Sequence, residues 1–431
     1  MKKESFVLKG NVFYSNEQKK INCLKNSYIV CLEGICQGVF PMLPEEYKNL
    51  KIFDYKNQLI IPGLCDLHIH APQFSFRGLG MDLELMDWLQ NQAFPEESKY
   101  SDLSYAKNAY SQFVSELKNG ASTRAVIFAT RHKNASLELM NQLEESGLIS
   151  YVGKVNMDRN APEPLVEKNA AESAQQTLEW LNECLTKFQN TKPILTPRFV
   201  PSCTDELFAK LQEIQEKYDL PVQSHLSENP NEVSFVKELC PYSKFYGDVY
   251  NKFGMFGKSA NKKSVKTVMA HCVYSTDEEI NLMKENGVFV AHCPASNLNL
   301  ASGIAPVKKY LLGGLNVGLG TDVAGGHSPS IFRAISDSIQ VSKMYWRYVD
   351  QNFKAVSFDE AFFMATLGGG NFFGKVGSFE KGFEFDALVL DDSVLPHPQE
   401  LNLHERLERA VYLGLDEKSL SAKFVFGEKI L

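Results

Sequence analysis

His68 and His70 stand one residue apart at the end of an apolar run that enters through Leu59–Ile61 and Pro62-Gly63. On an extended strand residues i and i+2 share a face, so two such imidazoles can converge on one ion. Pro72 forbids continuation as a central strand, which sets the pair at a strand's C-terminal end. In an α/β barrel that end carries the chemistry. Further along, Val222–His225 and Val268–His271 are apolar runs that end in histidine, and Val317–Gly320 runs into Thr321-Asp322. Taken singly, His225 or His271 reads as a satisfied, partly buried histidine, and Asp322 as the cap of a turn. Together, four imidazoles and a carboxylate at like ends of strands form a donor set that suits zinc, with iron or manganese also compatible.

A divalent ion held there lowers the pKa of its water from about 15.7 to about 7. Glu228, three residues beyond His225, is placed to move protons, with Asp322 as ligand and carboxylate together able to accept the first. The competing reading makes Glu228 a cap for the helix after Asn229-Pro230. Hydrolysis of a polarised C–N bond fits these roles. No lysine ends Ile194–Arg198, where a two-metal barrel hydrolase would carry a bridging one, so the pattern favours one ion per chain. Arg198 and Phe199 instead offer a guanidinium for a carbonyl or ring nitrogen and an aromatic face for a flat heterocycle. The alternative for Arg198 is an internal ion pair at the barrel rim. His132 and His292 also follow strands and divide between supporting the site and structural roles. Asn297 shapes a loop in this reading, His327 lines the mouth or lies exposed, and His397 and His404 read as surface residues. Phosphate-loop, H-E-x-x-H, G-x-S-x-G and small-deaminase zinc signatures are all missing from the sequence.

The elements that must position these groups alternate. Helical patterns at 101–119, 136–146, 170–187, 204–218, 231–239, 276–285, 330–345 and 357–367 separate short apolar strands at 125–129, 151–155, 194–198, 222–225, 268–271, 288–292 and 317–320. With the opening strand this makes about eight strand–helix units, the count of a (β/α)8 TIM-type barrel in the α/β class. Thr204-Asp205-Glu206 and Thr276-Asp277-Glu278 supply caps and first-turn acids. Residues 1–62 read as short strands (6–8, 11–14, 27–32, 38–40, 59–61), and 384–390 and 422–426 repeat that character. The expected organisation is a barrel over 63–375 and a small β-sheet domain assembled from 1–62 and 376–431, since chain termini often lie close together.

At 431 residues, with 44% hydrophobic and 23% charged side chains, the chain has ample material for a core. Its formal charge of -7 argues against nucleic acid or an anionic membrane as partner. The nine cysteines are scattered without a C-x-x-C pair, which reads as reduced, mostly buried thiols. Met1–Ser5 lack the apolar core of a signal peptide, and no apolar run nears the ~18 residues of a membrane span. A cytoplasmic enzyme is expected.

The spacing of His68-x-His70, His225, His271 and Asp322 resembles the amidohydrolase superfamily, its single-metal deaminases and, more narrowly, the guanine deaminases. The resemblance also rests on segments 68–73, 76–78, 87–89, 94–95, 153–158, 196–199, 223–229, 292–294, 320–326, 377–382 and 386–387, so it covers nearly the whole chain. It implies one zinc held by His68, His70, His225, His271 and Asp322, with Glu228 and Asp322 shuttling protons as activated water attacks C2 of guanine to yield xanthine and ammonia. Gln73, Arg198, Phe199 and His225 would contact the purine, and a site that hydrogen-bonds a carbonyl rejects analogues lacking it. It also implies a homodimer acting in purine metabolism. Other readings are a related barrel deaminase or chlorohydrolase acting on an adenosine-like or triazine ring, and a non-catalytic scaffold of the same fold.

Overall fold

The computed structural model describes residues 4–259 and 261–431, so Met1–Lys3 of the N-terminal stretch lie outside the described residues. Eight parallel strands form the barrel: β1 (Leu64–His70), β2 (Ser122–Phe128), β3 (Ile149–Gly153), β4 (Thr191–Pro193), β5 (Val222–Leu226), β6 (Thr267–His271), β7 (Phe289–His292) and β8 (Asn316–Leu319). Strands β1 to β4 hydrogen-bond in order, as do β5 to β8. Two seams join these halves. Leu195 bridges Val222, and its backbone accepts from Gln223 N at 3.0 Å. On the other side Asp322 N donates to His68 O at 2.8 Å and His70 N to Val323 O at 3.1 Å. Closure satisfies the edges that an open sheet would leave unpaired. Leu67, Val126, Ile194, Val268, Ala270, Ala291 and Cys293 meet Phe372 in one buried cluster that fills the interior.

The sequence pattern is close to the observed elements. Helices run over Leu103–Asn119, Lys133–Ser146, Ala170–Lys187, Asp205–Tyr218, Pro230–Leu239, Asp277–Asn286, Ile331–Tyr348 and Phe358–Phe363. Thr204 and Thr276 accept from Leu207 N and Glu279 N as N-caps. The pattern missed a helical stretch from Leu85 to Ser98, interrupted by a π-turn over Leu89–Ala93. It also missed the short helices Tyr246–Lys252, Pro294–Asn299 and Val307–Gly313, each too short to display a helical period.

The chain ends pair into one seven-stranded sheet, ordered 428–429, 420–425, 387–390, 51–62, 6–15, 21–32 and 35–40. Its own core gathers Phe6, Leu8, Ile29, Ile60, Phe385, Val389 and Phe424. Strand Lys51–Pro62 is longer than the apolar run 59–61 suggested, because its first half is exposed and charged. Leu403–Tyr412, in a tail read only as strands, is a helix with an Asn402/Glu405 capping box. That Asn-x-x-Glu signal was present in the sequence.

Sheet and barrel meet at tight joints. A Cβ on Gly63 would stand 2.1 Å from Thr123 Oγ1 and 2.8 Å from Asp386 Cβ, so only glycine fits the crossover. Asp386 accepts from Arg124 Nε at 2.7 Å and Nη2 at 2.9 Å, from Thr123 Oγ1 at 3.0 Å and from Phe426 N at 2.8 Å. Lys423 donates to the carbonyls of Leu117, Lys118 and Gly120 at 2.8–3.2 Å, which satisfies the end of helix Leu103–Asn119. No helix among the described residues is long and apolar enough to cross a membrane.

Candidate active site

The ends of β1, β5, β6 and β8 bring His68, His70, His225, His271 and Asp322 together. Asp322 Oδ1 lies 3.1 Å from His68 Nε2 and 3.3 Å from His70 Nε2, and Oδ2 lies 3.7 Å from His271 Nε2. His70 Nε2 and His225 Nε2 are 3.2 Å apart. The ligand atoms of His68, His70 and His225, and those of His68, His271 and Asp322, fall within 4.8 Å of one another in each group. Of these five residues only His225 reaches 9% exposure.

Local backbone aims them. Asp66 pairs with Ala125 but Ile69 with Ile127, so Leu67 and His68 together oppose Val126. This bulge redirects the strand just where the first ligand leaves it, a departure from plain i, i+2 alternation. Ser227, His271, Cys272 and Asp322 all take left-handed φ of 48–72°, a conformation that costs of order 1 kcal/mol or more for a side-chain-bearing residue. Ring orientation is set from behind. His225 Nδ1 lies 2.6 Å from Arg198 O, and His271 Nδ1 lies 2.8 Å from Asn297 Oδ1. Each acceptor calls for Nδ1–H, which leaves Nε2 as a lone pair facing the cluster.

Among the described residues, the buried Nε2 atoms of His68 and His271 have no hydrogen-bond partner. Such orphaned acceptors beside a carboxylate are what a metal ion would satisfy, so the residues present fit one. Burial, reinforced by the neighbouring imidazoles, holds His70 and His225 well below the ordinary histidine range, in the neutral form that ligates. Burial alone would raise Asp322, but His68, His271 and His70 outweigh it and hold the carboxyl below its usual range.

Glu228 Oε2 stands 3.4 Å from His271 Nε2, and Oε1 accepts from Ser302 Oγ at 3.0 Å. Burial pushes its carboxyl up to about 7. Glu228 does not cap the following helix. Asn229 does so in a capping box with Glu232, whose carboxylate takes the backbone N–H of Glu228 at 3.0 Å.

A cavity opens on this cluster, lined by His70, His225, Glu228, His271 and Asp322 together with Gln73, Arg198 and Phe199. Leu85, Trp88, Leu89 and Leu300 complete the lining, and Leu85 N donates to Leu300 O at 3.2 Å. Arg198 takes part in the internal ion pair of its alternative reading. It lines the cavity and also makes a bidentate pair with Glu97, Nη1 to Oε2 at 2.6 Å and Nη2 to Oε1 at 3.0 Å. Gln73 Nε2 donates to the same carboxylate at 2.8 Å.

Several contributors escaped sequence reasoning. Glu97 sits two residues past the Phe94-Pro95 pair but in the helix the pattern missed. Asp66 accepts from Thr321 Oγ1 at 2.5 Å and from the N–H groups of Thr321 and His68 at 3.1 Å, tying β1 to the loop that carries Asp322. Ser302 and Leu300 carried no signal of their own. Among the remaining histidines, His292 is buried with neither ring nitrogen partnered, and His132 Nε2 also lacks a partner; neither lines the cavity. His327 Nδ1 is 3.3 Å from Asn299 Nδ2. His397 is exposed as expected, whereas His404 is half-buried and meets Asp359 at 2.7 Å, so it is not a free surface residue.

Known proteins share this architecture throughout. The chain is similar to the guanine deaminase of Dictyostelium discoideum, 36% identical over 98% of each chain. It is also similar to the Mus musculus guanine deaminase, 39% identical over 87% of this chain and 83% of that one. Among solved structures, the guanine deaminase from C. acetobutylicum with guanine bound in its active site superposes with a TM-score of 0.94 at 47% identity, covering 99% of this chain and 100% of that one. The family model described as the amidohydrolase family matches residues 59–425. With a barrel closed around a histidine–aspartate cluster and a match spanning most of its length, the chain belongs to the amidohydrolase family.

Proposed function

We propose that this chain hydrolyses guanine to xanthine and ammonia. The observation that carries the reading is a single cavity on which the histidine–aspartate cluster, Glu228 and the Gln73–Arg198 pair all open, in a chain so similar to guanine deaminases. His68, His70, His225, His271 and Asp322 would hold one divalent ion, which we take to be zinc. Bound there, such an ion supplies Lewis acidity and makes water nucleophilic at neutral pH.

The chain's own residues do the rest. Glu228, buried and steadied by Ser302, takes a proton from the attacking water and returns one to the departing amine at C2. A carboxyl held near 7 suits both halves of that transfer. Asp322, ionised before the attack, accepts the other water proton and passes it to the ring nitrogen beside C2, which the xanthine product carries protonated. Arg198 and Gln73 hydrogen-bond the carbonyl and ring nitrogen of the purine, His225 contacts it from the cluster, and Phe199 lies against the ring. Leu85, Trp88, Leu89 and Leu300 exclude bulk water, which strengthens each polar contact. The division at 62/63 and 375/376, a cytoplasmic location and a homodimer belong to the same reading. Eight of the nine cysteines are buried, which supports a reducing compartment.

The test is purified protein assayed for ammonia release and the guanine-to-xanthine absorbance change, beside adenine, cytosine and thioadenosine substrates, with metal analysis in parallel. Turnover of guanine with about one zinc per chain is expected. Activity confined to adenosine-type compounds would overturn the substrate.

A further inference from the structure

Glu97 belongs to neither the histidine cluster nor the cavity lining, yet its carboxylate accepts three hydrogen bonds from the two side chains proposed to read the purine. Arg198 gives it Nη1 and Nη2 at 2.6 and 3.0 Å, and Gln73 gives it Nε2 at 2.8 Å. Three donors converge on two oxygens. Only an acceptor-only group fits, since an amide would turn its own NH2 against one of them. Gln73 is fixed at its other end as well, because Oε1 accepts from Ala324 N at 3.1 Å. Its amide therefore cannot flip without breaking both contacts, and one N–H and one lone pair remain for a ligand. Glu97, Arg198 and Gln73 are all nearly inaccessible to water, at 2%, 3% and 2% exposure. In such surroundings an unpaired guanidinium would impose a strong positive field on the cavity, and Glu97 removes it.

We propose that Glu97 is a positioning residue that also sets charge selectivity: it locks Gln73 and Arg198 as ring readers and cancels the guanidinium charge, so the site takes a neutral heterocycle in preference to its anion. The inference rests on guanine as substrate and on Arg198 and Gln73 as its contacts. The residue is not catalytic, and its loss acts through substrate binding.

The experiment compares the full-length wild type, Glu97→Gln and Glu97→Asp. It reads kcat and KM for guanine, metal content, and the inhibition constants of urate, anionic at neutral pH, and neutral hypoxanthine. Glu97→Gln should raise KM by about tenfold or more with a smaller change in kcat and metal content unchanged, and shift the urate-to-hypoxanthine preference about tenfold toward urate. Glu97→Asp keeps the charge but withdraws it by one methylene, so KM rises while the inhibitor preference stays at the wild-type value. A merely structural residue would not split these two readouts. Wild-type KM and wild-type preference in Glu97→Gln overturn the proposal, as does a fall in kcat and metal content at constant KM. If Glu97→Gln does not fold, an unchanged KM in Glu97→Asp overturns it alone. A wild type that releases no ammonia from guanine defeats the proposed function itself, an outcome distinct from an active wild type matched by its Glu97 variants.

Discussion

Asn297→Ala probes how this fold prepares a metal ligand. Asn297 Oδ1 lies 2.8 Å from His271 Nδ1, and the contact calls for Nδ1–H, leaving the Nε2 lone pair turned toward Asp322. Alanine removes the only side-chain acceptor that the described residues place on that nitrogen. His271 then loses both its tautomer preference and the brake on ring rotation, and losing such a partner typically costs about 10–100-fold in metal affinity, or about 1.4–2.8 kcal/mol. Asn297→Asp supplies an acceptor of the same shape and should retain wild-type affinity or better. The assay is equilibrium competition for zinc against a chromogenic chelator, run on apo protein at fixed pH, with circular dichroism to show that each variant is folded. His225 is an internal contrast, because its Nδ1 partner is the backbone oxygen of Arg198 at 2.6 Å, which no substitution removes. An Asn297→Ala protein that binds zinc as tightly as wild type would refute the argument that this hydrogen bond prepares the ligand.

Three further outcomes follow from the same geometry. Glu228→Gln should lower kcat by about 10²–10⁴-fold while zinc content stays near one per chain; turnover near the wild-type rate removes Glu228 from proton transfer. Asp386→Ala removes the bidentate partner of the buried Arg124 guanidinium, which keeps Glu384 at 2.9 Å, and should cost about 3 kcal/mol in urea unfolding, the low end for a broken buried pair, with activity per folded molecule preserved. Gly63→Ala forces a methyl to within 2.1 Å of Thr123 Oγ1 and should cost about 1–3 kcal/mol or more by the same measurement; an unchanged midpoint would show that the crossover has slack.

Much of the site was legible in the chain because strand periodicity and barrel topology are local signals. His68, His70, His225, His271 and Asp322 each end or follow an apolar run, and a closed parallel barrel places all such ends on one rim. Caps at Thr204 and Thr276 were readable for the same reason, since a cap bonds residues only three apart. The terminal sheet followed from β-like character at both ends of the chain, although the helix Leu403–Tyr412 inside it was passed over despite its capping box.

Tertiary structure decided what depends on residues distant in sequence meeting in space. Glu97 acquires its meaning from Arg198, 101 positions later, and Ser302 from Glu228, 74 positions earlier. No periodicity or spacing links such pairs, because their contact is set by how helices and loops pack over the barrel mouth. The bulge at Leu67-His68 and the left-handed φ of His271 and Asp322 likewise follow no spacing in the chain. The sequence by itself determined the donor types and the rim on which they gather. Folding determined which nitrogen faces the cluster, which carboxylate lies beside it, and which one stands behind the arginine.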